Sequence, residues 1–334
     1  MNRKRVTIKD VAEAAGVSRQ TVSRAMNNRG EISAETRTHV LSVAEAMGYR
    51  PSSIARSLAM RRTGTLGLVV PDVANPFFSE VARGAENEAC AREYNVFLCN
   101  TNEDPQREIA VLESLEEQRV DGVLLCSSRL DEEDLAAALT RHTAVVLFNR
   151  RLNGSNIGAI LIDDERGGRV ATEHLLETGH RAVGFLAGPP ASRSGQQRTQ
   201  GYLRAMTDAG LSVPVSWMPP CAPTVEGGCK AARELLTIHP QLTALFCYND
   251  LVAIGALKAC IELGRAIPND IAIVGFDDIP LAALVTPPLT TCHVPRYDLG
   301  RQAMELLLER IDGCTDQCRE LIVQPELIIR ASTS

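Results

Sequence analysis

Several things are scarce in this chain, and each scarcity excludes something. It has one tryptophan and thirteen aromatic residues in all among 334. No run of eighteen or more apolar residues occurs, so no membrane span is expected. Lys9, Asp10 and Glu13 interrupt the stretch from Val6 to Ala15, which does not fit the apolar centre of a signal peptide. His39, His142, His174, His180, His239 and His293 show no ligand spacing such as H-x-x-x-H. The ten cysteines are scattered, mostly inside apolar runs such as Phe97-Leu98-Cys99 and Leu124-Leu125-Cys126, as expected of buried thiols in a reducing cytoplasm. Cys314 and Cys318 are spaced C-x3-C without a second pair, and neither Gly167-Gly168 nor Gly227-Gly228 sits in a phosphate-loop context. No metal and no cofactor is expected.

Charge is unevenly distributed. The whole chain carries −6, but residues 1–62 hold twelve Lys or Arg against five Asp or Glu, a local balance of +7. The remainder therefore carries −13. A basic end on an acidic body is the pattern of a confined contact with phosphate.

Within that basic end, Thr7–Asn27 reads as two short helices around a tight turn. Thr7 can cap the first, with Asp10 at its third position in a capping-box arrangement. Ile8, Val11, Ala12 and Ala15 recur at helical spacing. Gly16 supplies the turn, since glycine takes positive φ without steric cost. Ser18 caps the second helix, which buries Val22, Ala25 and Met26. Arg19, Gln20, Thr21, Ser23, Arg24 and Asn27 remain outward, side chains that reach base edges and phosphates. An ordinary amphipathic hairpin with a solvated face is the competing reading. A third helix follows, capped by Ser33, with Val40, Leu41, Val43, Ala44 and Met47 as its stripe and Gly48 as its stop.

Residues 49–62 hold four arginines and no acid. Pro51 suits a first helical turn, but the segment is too short to be stable alone. It reads either as a hinge that becomes helical on DNA, with Leu58 as a minor-groove wedge, or as a basic linker with Leu58 packed on the next domain.

From these motifs, V-T-I-K-D-V-A-E-A-A-G-V-S-R-Q-T-V-S-R-A-M-N, S-A-E-T-R and Y-R-P-S-S-I-A-R-S-L, residues 5–62 resemble the DNA-binding headpiece and hinge of the lac repressor / galactose repressor family of bacterial transcription regulators. The resemblance implies Arg19 and Gln20 as main base readers, supported by Thr7, Ser18, Thr21, Ser23, Arg24 and Asn27. It makes Leu58 the intercalating residue, with Ala55 beside it. Ser52 departs from the family, which often has Asn after the proline.

From Thr65 onward, short β-rich runs alternate with helical segments in two sets, one ending near Phe148 and one beginning near Ile157. Such alternation indicates α/β units on parallel sheets. This body resembles the periplasmic sugar-binding-protein fold that the same family carries. The expected fold class is therefore α/β: an all-α helix-turn-helix headpiece (1–50), a hinge helix or linker (51–63), and a two-lobed body (64–331). The N-lobe is expected over 64–161 plus 293–322, and the C-lobe over 163–290 plus 323–331.

Ligands of open α/β sheets bind outside the carboxyl ends of the strands. Asn75, Phe77 and Phe78 follow the first strand, Asn149 and Arg150 follow Phe148, Asn249 follows the strand at 245–247, and Phe276 and Asp277 follow the strand at 271–274. Rings with amides, carboxylates and arginines are what sugars require. Each residue also has a plain structural reading, as helix cap, turn or core. The family resemblance implies all of these as effector contacts, and the S-x3-R-x2-G element around Ser194-Gly195 adds Ser194 and Arg198. Pro223 stands where relatives often place a ring, and Asn149 where ribose binders carry Asp.

The favoured expectation is a non-enzymatic, cytoplasmic repressor. It acts as a homodimer, no heptad-bearing tail following the last strand, and binds a roughly palindromic operator DNA under control of a sugar-like effector. A sugar-binding protein without a DNA role, or a sugar-acting enzyme using Asp163-Asp164 or Asp277-Asp278, are the alternatives.

Overall fold

The computed structural model describes residues 6–26, 32–49, 62–314 and 319–334. It divides into two units, Met1–Gly64 and Thr65–Ser334.

The first unit contains α1 (Ile8–Ala14), α2 (Arg19–Met26) and α3 (Ala34–Ala46). Thr7 accepts from Asp10 N while Asp10 Oδ2 accepts from Thr7 N at 2.8 Å, closing the capping box. Ser18 and Ser33 cap the next two helices, each accepting at 3.1 Å, from Thr21 N and Thr36 N. Gly16 holds φ +66°, which lets α2 cross α1. The core is small: Val11, Val22 and Val40 fully buried, with Ala12, Ala15, Ala25 and Ala44 around them. Leu41, expected on the apolar stripe, is exposed. Asn27, Ala55 and Leu58, with most of the expected hinge, lie outside the described residues.

In the second unit, β1 (Thr65–Val70), α4 (Pro76–Ala91), β2 (Asn95–Asn100), α5 (Pro105–Glu117), β3 (Gly122–Cys126), α6 (Glu132–Leu139), β4 (Val145–Phe148) and β5 (Gly158–Ile162) come first. There follow α7 (Asp164–Glu177), β6 (Val183–Leu186), α8 (Arg193–Asp208), α9 (Val225–Ile238), β7 (Ala244–Cys247), α10 (Asp250–Glu262), β8 (Ala272–Asp277) and β9 (Thr290–His293). The chain ends with α11 (Arg296–Ile311), β10 (Glu320–Val323) and β11 (Glu326–Ile328).

One sheet runs β10-β5-β4-β3-β1-β2, all parallel; the other runs β11-β9-β8-β7-β6, parallel except for β11. The first sheet and its helices form the N-lobe, the second the C-lobe. Both faces of each sheet are covered, so the central strands are apolar throughout rather than alternating. In the N-lobe, Val69, Leu125 and Leu147 pack under α5 and α6, while Leu68, Leu124 and Val146 pack under α4 and α11.

The lobe boundaries differ from the expected ones. Thr290–His293 is a strand of the C-lobe sheet, paired with Phe276 and Asp277 at its end, so the crossover falls after His293 rather than between 290 and 293. The C-lobe also continues past 331, because Ser332 donates to Ile273 O at 2.6 Å and Thr333 is buried against His174. Helix α11 carries no side-chain cap, Pro295 preceding it, so it lacked a local start signal. Its seat is non-local: Gly84 of α4 and Gly300 of α11 let the two backbones approach so closely that a Cβ at either would meet the other helix's carbonyl oxygen at 2.1 Å.

Candidate functional site

On the first unit, Arg19, Gln20 and Arg24 are exposed along α2, with Thr21 and Ser23 half-buried beside them. Thr7 and Ser18 spend their side chains on helix caps, yet both stay exposed at helix N-termini. Two such N-termini and a row of hydrogen-bonding side chains form a surface able to meet an anionic backbone.

On the second unit, the strand ends converge. The N-lobe order reverses between β1 and β3, and ligands of open α/β sheets sit at such a reversal. Asn75 caps α4 there, its side chain accepting from Phe77 N at 3.0 Å. Phe77 meets Phe78 edge-on at 5.1 Å and Phe148 at 6.2 Å. Ser127 follows β3, and Asn149 follows β4. From the C-lobe, Asn249 caps α10 by accepting from Val252 N at 2.9 Å, and Asp277 ends β8. Ser127, Asn149 and Asp277 all hold positive φ, +47°, +51° and +110°. Asn and Asp tolerate this region best among residues with a side chain, but φ +110° is strained even for Asp, and such strain gathers where side chains must be aimed at a ligand.

Arg198 of α8 is the hub. It is almost fully buried and donates from Nε to Asp164 Oδ1 at 2.8 Å, and from Nη1 to Tyr248 O. Nη2 lies 2.7 Å from Asp164 Oδ1 and 3.7 Å from Asp277 Oδ1. Its guanidinium carbon lies over the Phe276 ring, 3.5 Å from the ring centre, with the Tyr248 ring centre at 5.2 Å. Asn149 ties the N-lobe to this hub: its Nδ2 donates to Asp164 Oδ2 at 2.9 Å and to Ser194 Oγ at 3.0 Å, while its Oδ1 accepts from Ile162 N at 3.0 Å. Every polar atom of that side chain is thereby committed.

Of the effector-contact candidates, Asn75, Phe77, Phe78, Asn149, Ser194, Arg198, Asn249 and Asp277 line one cavity between the lobes. Phe276 lies behind Arg198 instead. Arg150 lines a separate, outer pocket. Tyr248, one of the few aromatics that the sequence places at a strand end, lines the inner cavity too, as do Glu103 and Ser127, which are not among the sequence candidates. Ser127 could have been found by applying the strand-end rule to Gly122–Cys126. Glu103 could not, since it reaches the cavity through its pairing with buried Arg129, which lies 26 residues on. The cavity has a volume of about 20 Å³, enough for about one water and too small for a sugar. The lobes are closed on it.

Burial pushes the Asp277 carboxyl up to about 7, against the opposing pull of Arg198 and Arg296. Between about pH 4 and 7 the folded state therefore holds a proton that the unfolded state has lost, and stability from this group falls as pH rises through that window. Asp277→Asn should remove the effect. The difference in melting temperature between parent and variant is expected to change between pH 4 and 7, by the equivalent of up to about 4 kcal/mol, and to be flat above pH 8. A constant difference across that range, in calorimetric scans, would show that Asp277 is already ionised there.

Among the described residues no group of three His, Cys, Asp or Glu could hold a metal ion, and no helix is long and apolar enough to cross a membrane.

The family model for bacterial regulatory proteins of the lacI family matches residues 7–52. The model for periplasmic binding proteins and the sugar binding domain of the LacI family matches residues 63–331. The HTH-type transcriptional repressor PurR of Haemophilus influenzae is 38% identical over 333 residues, covering 98% of both chains. Among solved structures, the lac repressor dimer bound to operator and the anti-inducer ONPF superposes with a TM-score of 0.88 at 28% identity, covering 99% of both chains. The transcriptional regulator CelR in complex with cellobiose gives 0.74 at 33% identity, covering 98% of this chain and all of the other.

Proposed function

The chain belongs to the LacI family and is a DNA-binding transcriptional regulator; on that footing we propose that it represses transcription from a roughly palindromic operator, as a homodimer, under control of a small sugar-like effector taken between its lobes. One observation carries the effector reading: the Arg198–Asp164–Asp277 network with Asn149 and Ser194, which ties both lobes together around one polar cavity. Opening the lobes exposes these donors and acceptors to a ligand, and the ligand sets the lobe angle in closing them again. An effector acts on DNA affinity only as far as it binds the two states unequally.

On the headpiece, Arg19 and Gln20 are the proposed base readers, with Thr7, Ser18, Thr21, Ser23, Arg24 and Asn27 in support and Ala55 and Leu58 at the minor groove. The exposed side chains of α2 support the first part of this assignment. Repression places the protein with the chromosome, in the cytoplasm.

Two similar proteins favour different ligands. The CelR complex holds a disaccharide, and the matched body model includes sugar-binding domains. The PurR relatives favour a purine base. Rings line the cavity from both lobes, Phe77 and Phe78 from one and Tyr248 from the other, which suits a sugar or a base alike. The cellobiose complex and the sugar-binding body model are what support the sugar. A thermal-shift screen with sugars and purine bases separates the two, because a binder raises the melting temperature by mass action. A shift only with hypoxanthine, guanine or adenine would replace the sugar reading.

The homodimer draws support from the similarity to the lac repressor dimer and from exposed apolar residues on edge strand β2, Phe97 and Leu98. An unpaired, apolar sheet edge favours self-association. Replacing both with Asp is expected to give a folded monomer at micromolar concentration in sedimentation velocity. A dimer unaffected by the double change would move the interface elsewhere.

A further inference from the structure

The pocket that holds Arg150 is larger than the inner cavity, about 420 Å³, within the range of small-molecule sites. Arg150, Arg151 and Arg193 bring three guanidiniums to it, and Asn149 lines both it and the inner cavity. Along α8, Arg193 and Gln197 face this pocket where their neighbours Ser194 and Arg198 face the other.

The three arginines are not equivalent. Arg151 is neutralised by Glu320 at 2.6 Å. Arg150 is 4% exposed, and its hydrogen bond runs from Nη2 to Leu130 O at 3.0 Å, while its buried Nε has no partner. Arg193 is exposed and bonds to the neutral Gln196 side chain. Neither Arg150 nor Arg193 has a carboxylate partner among the described residues. The two carboxylates in the lining are engaged: Glu132 accepts from Asn153 N at 3.1 Å, and Asp163 caps α7 by accepting from Arg166 N at 3.0 Å. Burial, and then the nearness of Arg193, push the Arg150 pKa down against the weaker pull of Glu132, Glu108 and Asp131. Two cations held close with acids nearby but no carboxylate in direct contact are costly, and α8 begins at the same place, its N-terminus adding positive potential.

We propose that the effector is an anionic monosaccharide, a sugar phosphate or a sugar acid, whose charged group sits between Arg150 and Arg193 while its hydroxyls reach the opened inner cavity. This rests on the effector reading above. The anion supplies the direct ion pair that both arginines lack, and the planar guanidinium forks suit a phosphate or carboxylate.

The test is calorimetric titration of the full-length protein with matched sets: ribose with ribose 5-phosphate, and glucose with glucose 6-phosphate and gluconate, with inorganic phosphate alone as a further arm. One anionic member is expected to bind at least tenfold more tightly than its neutral parent. Arg193→Ala should abolish that advantage without changing the melting temperature of the unliganded protein. Phosphate and carboxylate arms tell the two kinds of anion apart. A neutral sugar binding as tightly as its charged partners would overturn the anion inference and leave the sugar reading standing. So would an anionic preference untouched by both Arg193→Ala and Arg150→Lys. Inorganic phosphate binding as tightly as the sugar phosphate would also overturn it, since the sugar would then contribute nothing. Binding by no sugar, neutral or charged, would overturn both readings.

Discussion

Replacing Arg198 with methionine is expected to destabilise the body by about 3–5 kcal/mol and to abolish effector binding. The side chain fills a similar volume, so the loss is electrostatic rather than a cavity. Asp164, fully buried, loses its ion-pair partner at 2.7 Å, and Asp277 loses the cation that opposes its desolvation. The Tyr248 carbonyl and the face of Phe276 lose their contacts together with them. For a unit of this size the body's melting temperature should fall by roughly 6–20 °C in a calorimetric scan. Arg198→Lys should recover part of the stability, since charge returns but the planar fork does not. Adding Asp277→Asn to Arg198→Met should recover part as well, because it removes one stranded carboxyl; the cycle of four proteins gives the coupling directly. Equal melting temperatures for parent and Arg198→Met would mean that the buried network contributes nothing net.

Arg19→Ala and Gln20→Ala are each expected to weaken binding to a selected operator by about tenfold to a hundredfold, or 1–3 kcal/mol, and to relax the base preference at one position per half-site. Both side chains are exposed on α2 and outside the core cluster of Val11, Val22 and Val40, so neither change should unfold the headpiece. A phosphate contact behaves otherwise: its loss weakens all sequences alike and lowers the salt slope by about one. Repeating the binding-site selection with each variant distinguishes the two roles. An unchanged preference for both would remove α2 as the reader.

Much of this was legible locally. Thr7 with Asp10, and Ser18, Ser33, Asn75 and Asn249, were readable as caps because a cap is decided within four residues of chain. For Asn75 and Asn249 the structural and the site readings hold together: each caps a helix, and each lines the cavity because helices start at strand ends. What could not be read was decided across the chain. Asp164 looks like a first-turn helix acid, and only folding brings it against Arg198 and Asn149. Arg129 with Glu103, the seating of α11 on α4, and the strand character of Thr290–His293 depend on partners far away in sequence. Arg150 was grouped with the inner residues because it follows Asn149, yet adjacent residues at a strand end point to different sides, and it lines the outer pocket.

The most direct test of the account is fluorescence anisotropy of the selected operator duplex titrated with full-length protein, with and without the compound found to stabilise the body. The account predicts a strong preference for that duplex over random competitor, and a change of at least tenfold in affinity when the compound is present, lost in Arg198→Met. Equal affinity for selected and random DNA, or an affinity indifferent to a compound that demonstrably occupies the body, would contradict it.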